Sequence, residues 1–255
     1  MTGRGTRGGT AFRDASLVIL GYALVRAIIY YFQPNTSLDT WSRRDAWMTI
    51  PRLSAFLALL ALNRWRWRRV PFDFRLRMDG GWAFVGGVIF VGISILSGAG
   101  AIGENWPAKN AIMGLLATPM VGFFEEYAFR GAILSGLIER FGKGWAILLS
   151  SAFFTVFHIQ AQPFWCWPTL FVISVAFANL RVLGFSLGWL ASIHIMIDSI
   201  VFVLPSGGLA PSSVGSRMEL SAFALYAAVT FGLVWRYSGR GEAGNSSRKP
   251  PFESL

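Results

Sequence analysis

Apolar positions in this chain come in long, nearly unbroken runs. They do not alternate as in a half-buried strand, nor form the single stripe of a surface helix. A helix needs about 20 mainly apolar residues to cross a bilayer. Eight segments meet or approach that length: 15–33, 47–63, 82–102, 109–137, 144–162, 166–181, 184–204 and 218–236. The second and sixth are short. The fourth is long and contains Pro119, which predicts a kink there. The pattern predicts an all-α fold, a polytopic membrane bundle of about eight transmembrane helices. No internal repeat and no second domain stand out. Residues 1–14 read as a basic N-terminal segment and 15–236 as the membrane domain. Residues 237–255 read as a polar tail rich in Gly, Ser and Pro, expected to be disordered.

The basic start followed by an apolar run has the outline of a signal peptide. The run continues to Phe32, however, and Gln33-Pro34-Asn35 has no small-residue cleavage pattern. An uncleaved first span is the expectation.

Composition supports the membrane reading. Hydrophobic residues make up 54% and charged residues 14%, against about 25% charged in soluble domains. The net charge is +10, but the cations sit between apolar runs, so they fit membrane orientation better than a nucleic-acid face. With the N-terminus cytoplasmic, inside segments hold 16 cations and outside loops hold 4, namely Arg43, Arg44, Lys109 and Arg217. That asymmetry predicts a multi-pass protein of the cell (inner) membrane with both termini in the cytoplasm. The stretch Asn63 to Met78 interleaves Trp and Arg and reads as a cytoplasmic loop gripping anionic lipid; no nucleic-acid partner is expected. Cys166 is the one cysteine and reads as a small buried residue.

Ionisable groups inside spans are costly and usually functional. Of the 13 acids, three lie deep by these limits: Glu125, Glu126 and Asp198. Both histidines, His158 and His194, are also deep, and Arg130 completes the set. Arg26 and Arg52 also fall within spans, and Arg26 reads as snorkelling or lining the bundle. Glu125 precedes Glu139 by 14 residues, His158 follows Lys143 by 15, and His194 follows Arg181 by 13. Each therefore sits about 20 Å along its helix from the inner charges. Three helices place their polar groups at one level, as a single site requires.

Spacing assigns partners. Glu126 and Arg130 are four apart and can pair, which lowers the cost of burying either. Glu125 points about 100° away and is the freer carboxylate. His194 and Asp198 are also four apart, so Asp198 can hold one ring nitrogen. Phe154 can pack on His158. Glu125, His158 and His194 have the chemistry of a zinc site with an open water position. Ser150, Ser151 and Ser192 lie on the same helices without a triad pattern. Interhelical hydrogen bonding that merely holds the bundle together is the bland alternative.

In order, these segments read Glu125-Glu126-Tyr127-Ala128-Phe129-Arg130, then Phe154 to His158, then His194 to Asp198. EExxxR, FxxxH and HxxxD in that order closely resemble the CPBP family of intramembrane proteases, also called the type II CAAX prenyl endopeptidase or abortive-infection-protein family. The motifs span 125–198, and the eight-span layout also resembles that family. The resemblance implies endopeptidase cleavage of a membrane-associated peptide or protein at or within the membrane. By resemblance, Glu125 and His158 activate the water, Glu126 and Arg130 are structural, and His194 with residue 198 stabilises the oxyanion. The best-known pattern has Asn where this chain has Asp198. An ionised Asp only accepts hydrogen bonds, so its role is to orient His194 unless it carries a proton. No cofactor is expected; zinc held by Glu125, His158 and His194 is the alternative. Two other functions compete: a non-catalytic scaffold or immunity factor binding a peptide in the same cavity, and a proton-coupled transporter.

Overall fold

The computed structural model describes residues 5–32, 38–67, 89, 108–159, 164–203 and 213–243. Among these residues every regular element is helical and there is no strand, so the all-α expectation holds. Helix α1 spans Gly5–Phe32 and α2 spans Leu38–Leu62, which runs on as a π-helical turn over Asn63–Trp67. Helix α3 spans Ala108–Glu125 and passes directly into a π-helix over Glu126–Ile133. Helix α4 spans Leu134–His158, α5 Trp167–Val182, α6 Leu187–Val203 and α7 Ser213–Ala243. The expected span at 82–102 lies outside the described residues except for Ile89. Among the described residues, no helix is long and apolar enough to cross a membrane.

Several boundaries differ from the sequence expectation. Helix α1 begins at Gly5, well inside the segment read as an N-terminal extension, and α7 runs to Ala243, past the expected start of the tail. Pro119, where a kink was expected, lies inside the continuous helix α3. The α-helix continues through the proline, which removes one ladder bond, and leaves α geometry at Glu126. There the Leu134 N–H reaches the Phe129 carbonyl, five residues back. Every residue of the π-helix is buried. Single π turns of this kind are frequent at functional sites. Helix α4 is broken within itself at Gly142, whose φ of 75° is a left-handed conformation that favours glycine. That single residue does the work of the expected loop between the fourth and fifth spans.

Packing brings chain-distant helices together. Helix α3 lies against α2 and α6, α4 against α1 and α5, and α5 against α7. The core is aromatic where these helices meet, with Phe124, Tyr127, Phe129, Phe154, Phe157 and Phe177 all buried. Phe129 meets Phe154 and Phe157 edge-on, with ring centroids 5.1 and 5.3 Å apart. Asn179 ties α5 to α7 through the Ala227 carbonyl at 3.0 Å and Thr230 Oγ1 at 2.9 Å. Arg181, read from sequence as a loop cation, is buried, and its Nη1 donates to the Phe185 carbonyl at 2.7 Å. Asp14 is a buried acid that the sequence limits missed. It accepts from Trp67 Nε1 at 3.3 Å and pairs with Arg13 and Arg66, each at 3.2 Å. Trp67 therefore turns into the bundle rather than lying at an interface. Cys166 is half-buried, not fully buried as expected.

Gly122 is required by the close approach of α3 and α6. A Cβ there would stand 2.6 Å from Ile195 Cγ1 and 3.0 Å from the Ala191 carbonyl oxygen. Small residues let backbones approach in this way. Gly122→Ala is expected to lower stability by about 1–3 kcal/mol, the usual cost of overpacking. Activity should fall with it, because Ile195 follows His194 on the displaced helix. Thermal unfolding of the purified variant in detergent checks this; wild-type stability would mean that α6 has room to move.

Candidate active site

Three helical segments supply the polar groups. The end of α3 carries Glu125, and the π-helix carries Glu126 and Arg130. The end of α4 carries His158, and α6 carries His194 and Asp198. All six residues singled out from sequence come together. Glu125, Glu126 and Arg130 are each no more than 2% exposed.

Glu126 is the hub. Its Oε1 lies 3.1 Å from Arg130 Nη1 and 2.7 Å from His194 Nδ1. The first contact is the expected i,i+4 pair. The second was not expected, since spacing alone offered His194 only Asp198. Asp198 Oδ2 is 3.6 Å from His194 Nε2, an ionic contact too long for a hydrogen bond. Asp198 is also the most exposed member, with 27% of its side chain accessible. Arg130 is held beyond Glu126 as well. Its Nη2 donates to Ser174 Oγ at 3.1 Å, and its guanidinium lies over the rings of Phe154 and Phe177 at 4.4 and 5.2 Å. Desolvated cation–π contacts of this kind are worth about 2 kcal/mol. Ser174 carries no sequence signal, being one small polar residue on an otherwise apolar helix.

Glu125 faces both histidines. Its Oε2 lies 3.4 Å from His158 Nε2 and 3.8 Å from His194 Nε2. That oxygen is buried and accepts no hydrogen bond among the described residues. His158 Nδ1 is 2.8 Å from the Phe154 carbonyl. A carbonyl can only accept, so this contact places a proton on Nδ1. In a neutral ring Nε2 is then a lone pair aimed at Glu125. The His158 ring also packs on Phe154, centroids 4.4 Å apart. The FxxxH pair thus works twice, through the backbone oxygen and through the ring of Phe154.

Two sequence readings gain structural detail. The hydroxyls of Ser150 and Ser192 bond to the carbonyls of Ile147 and Gly188, so both are engaged within their own helices. The two Nε2 atoms converge on Glu125 while each Nδ1 is held from outside, as outer-sphere partners hold metal-ligating histidines. Even so, among the described residues no group of three or more His, Cys, Asp or Glu is arranged to hold a metal ion.

Besides Ser174, sequence reasoning missed a second neighbour of the site. Tyr22 on α1 packs on Phe124 and Phe157, centroids 4.9 and 5.6 Å away, and its hydroxyl accepts from Arg52 Nε at 3.0 Å. The signal was present in part, since Arg52 falls inside a span.

Residues 107–200 match the family model described as type II CAAX prenyl endopeptidase Rce1-like. All six site residues lie inside that segment. No curated protein matches the chain.

Proposed function

We propose, from the premise that residues 107–200 are an Rce1-like domain of the CPBP intramembrane-protease family, that this chain hydrolyses a peptide bond of a membrane-associated substrate with a water activated by Glu125 and His158. One observation carries the reading. Glu125 Oε2 is buried, accepts no hydrogen bond among the described residues and faces a histidine nitrogen at 3.4 Å. Two acceptors side by side suit a water that donates to both.

The steps follow from the proton positions. Glu125 takes a proton from the water as the oxygen adds to the carbonyl carbon, and His158 Nε2 shares the hydrogen bonding of that proton. The carbonyl oxygen becomes an oxyanion. Glu125 then gives the proton to the departing nitrogen, the C–N bond breaks, and an acid and an amine result. General acid–base help of this kind contributes about 10²–10⁴-fold. His194 is the oxyanion donor. Its Nδ1 is committed to Glu126, so it offers an N–H at Nε2 only as an imidazolium. Asp198, 3.6 Å from that nitrogen, supports the imidazolium. This gives Asp a use where Asn would donate directly. A fixed donor aimed at developing charge is worth about 2.7–4 kcal/mol.

The membrane setting belongs to the same proposal. The charges of Glu125, Glu126 and Arg130 are buried while large apolar side chains stand exposed on the outer helices. On α1, Leu17, Leu20, Leu24 and Ile28 form an exposed stripe, and on α7 Leu225, Val229 and Leu233 form another. Contiguous exposed apolar faces mark contact with lipid or protein. Helices α1, α2 and α7 have 28, 25 and 31 residues, above the roughly 20 needed to span. Polar groups such as Asp14 and Arg26, which are buried, lower the apolarity of α1 without facing outward. Trp65, Trp145 and Trp235 are exposed, as in an interfacial belt. The bundle of about eight spans, with both termini cytoplasmic, is the topology these faces and the charge asymmetry support.

Reconstituted protein, treated with a zinc chelator and subjected to metal analysis, tests the water-activating pair. Cleavage should persist without bound metal. His158→Ala should cut kcat by about 10²–10³-fold while the protein still inserts. One zinc per chain, with activity lost on its removal and restored by its return, would replace Glu–His activation by metal activation.

A further inference from the structure

Away from the hydrolytic groups, the break in α4 opens a groove against the end of α7. Gly142 leaves helical geometry, with φ 75° and ψ 170°, and the helix resumes beyond it. The groove there has a volume of about 310 Å³ and is open along one side. Phe141, Trp145 and Leu148 line it from α4, Phe231 and Trp235 line it from α7, and Lys143 supplies a charge. Its volume lies at the lower end of the range for ligand pockets, about 300–1,000 Å³. Lys143 stands 15 residues before His158, about 20 Å along the helix, so the groove is separate from the water-activating pair.

The lining is apolar yet open. Trp145 is 66% and Trp235 74% exposed. Exposed apolar patches mark a contact surface, and Trp suits the headgroup level of a bilayer. Along α7, Ala224 and Ala228 share the face of Phe231 and Trp235 and are exposed. These small side chains leave a shallow path on which a chain of methylenes can continue from the groove.

Charge decides between occupants. Arg140, next to Phe141, and Arg236, next to Trp235, are exposed like Lys143, and Glu139 is the exposed acid beside them. Three cations against one acid leave a surplus of two positive charges at the rim. The helix that restarts after Gly142 adds partial positive charge at its first turn. Gly142 and Gly144 keep that turn bare, and a Cβ on either would meet nothing within 4 Å. A purely apolar occupant would leave these cations unmatched. A second copy of this chain would set one positive rim against another. An amphiphile with a phosphate at one end matches both the rings and the charge, and Lys is a common phosphate binder.

We propose that this groove binds an anionic phospholipid, with the headgroup phosphate at Lys143 and the upper acyl chain against Trp145, Leu148, Phe231 and Trp235. The inference rests on the membrane setting proposed above and is independent of peptide hydrolysis.

The test titrates full-length protein in detergent micelles with phosphatidylglycerol or phosphatidylcholine, each carrying a dibrominated acyl chain that quenches nearby tryptophan. The groove signal is the quenching that disappears in the double variant Trp145→Phe with Trp235→Phe. In wild type it should reach half-maximum at about 5-fold less phosphatidylglycerol than phosphatidylcholine, the effect of one basic side chain at an anionic lipid surface. Lys143→Gln should bring that ratio toward one. Arg64→Gln removes the same charge from the turn after α2 and should leave the ratio unchanged. A ratio of one in wild type overturns the inference. So does a preference that survives Lys143→Gln, or one that falls equally in Arg64→Gln. A groove signal absent for both lipids overturns it too, and a dimer under the same conditions would then give the groove to a second copy. Flotation of the same protein with vesicles of the two lipids tests the membrane setting separately. A chain that floats without a groove preference loses only this site. One that does not float loses the setting, and the micelle titration still decides the site.

Discussion

Glu125→Gln leaves the protein inserted and folded and lowers peptide hydrolysis by about 10²–10⁴-fold. The substitution keeps the shape of the side chain and removes its negative charge and, with it, its capacity to take a proton. Its surroundings tolerate the change. Glu125 Oε2 accepts no hydrogen bond among the described residues, and the strongly bonded carboxylate of the site is Glu126. Stability should therefore stay near wild type while kcat collapses. Steady-state cleavage and thermal unfolding of the same preparation separate the two effects. A Gln variant that retained wild-type turnover would remove Glu125 from the chemistry.

Arg130→Met should have the opposite profile, a large loss of stability with activity falling as a consequence. Arg130 meets Glu126, Ser174, Phe154 and Phe177 at once. Removing it leaves Glu126 buried with, among the described residues, only His194 as a hydrogen-bonding partner. Breaking a buried pair from one side costs about 3–5 kcal/mol. Arg130→Lys restores charge but not the fork that spans Glu126 and Ser174, so it should recover part of the loss. The double variant Glu126→Gln with Arg130→Met should be less destabilised than the two single losses summed, because neither partner is then left as an unmatched charge. Unfolding midpoints in detergent for the four proteins test this. Additive losses would show that the two residues stabilise the bundle independently.

Much of the site was legible because intramembrane charges are few. With two histidines in the chain and three deep acids, matching depth on three helices was enough to group the six residues. Spacing along one helix also gave the Glu126–Arg130 pair correctly, since i,i+4 neighbours meet even where the backbone turns π-helical. What spacing could not supply was contact between helices. It matched His194 with Asp198, four residues away, whereas the shorter bond runs to Glu126, 68 residues distant in sequence. Ser174 was invisible for the same reason. Asp14 escaped notice because it sits at the edge of an apolar run, where an acid reads as loop. Arg181 was misread as a loop cation because its burial depends on the turn at Phe185. In the fourth span the residue with a known local effect is Pro119, where a kink was expected. The change of helix type at Glu126 leaves no compositional mark. For the fold, apolar runs located the helices well and their ends poorly, since α1 and α7 continue into polar sequence.

If Glu125 and His158 activate a water that cleaves a peptide bond, the new carboxylate carries that water's oxygen. Cleavage of a free-acid prenylated peptide in H₂¹⁸O by the reconstituted protein, read by mass spectrometry, tests it most directly. Wild type should release a fragment with one ¹⁸O in its new carboxylate, and Glu125→Gln should leave the peptide intact over the same time. An intact peptide with wild type, or equal labelled product from the Gln variant, would contradict it.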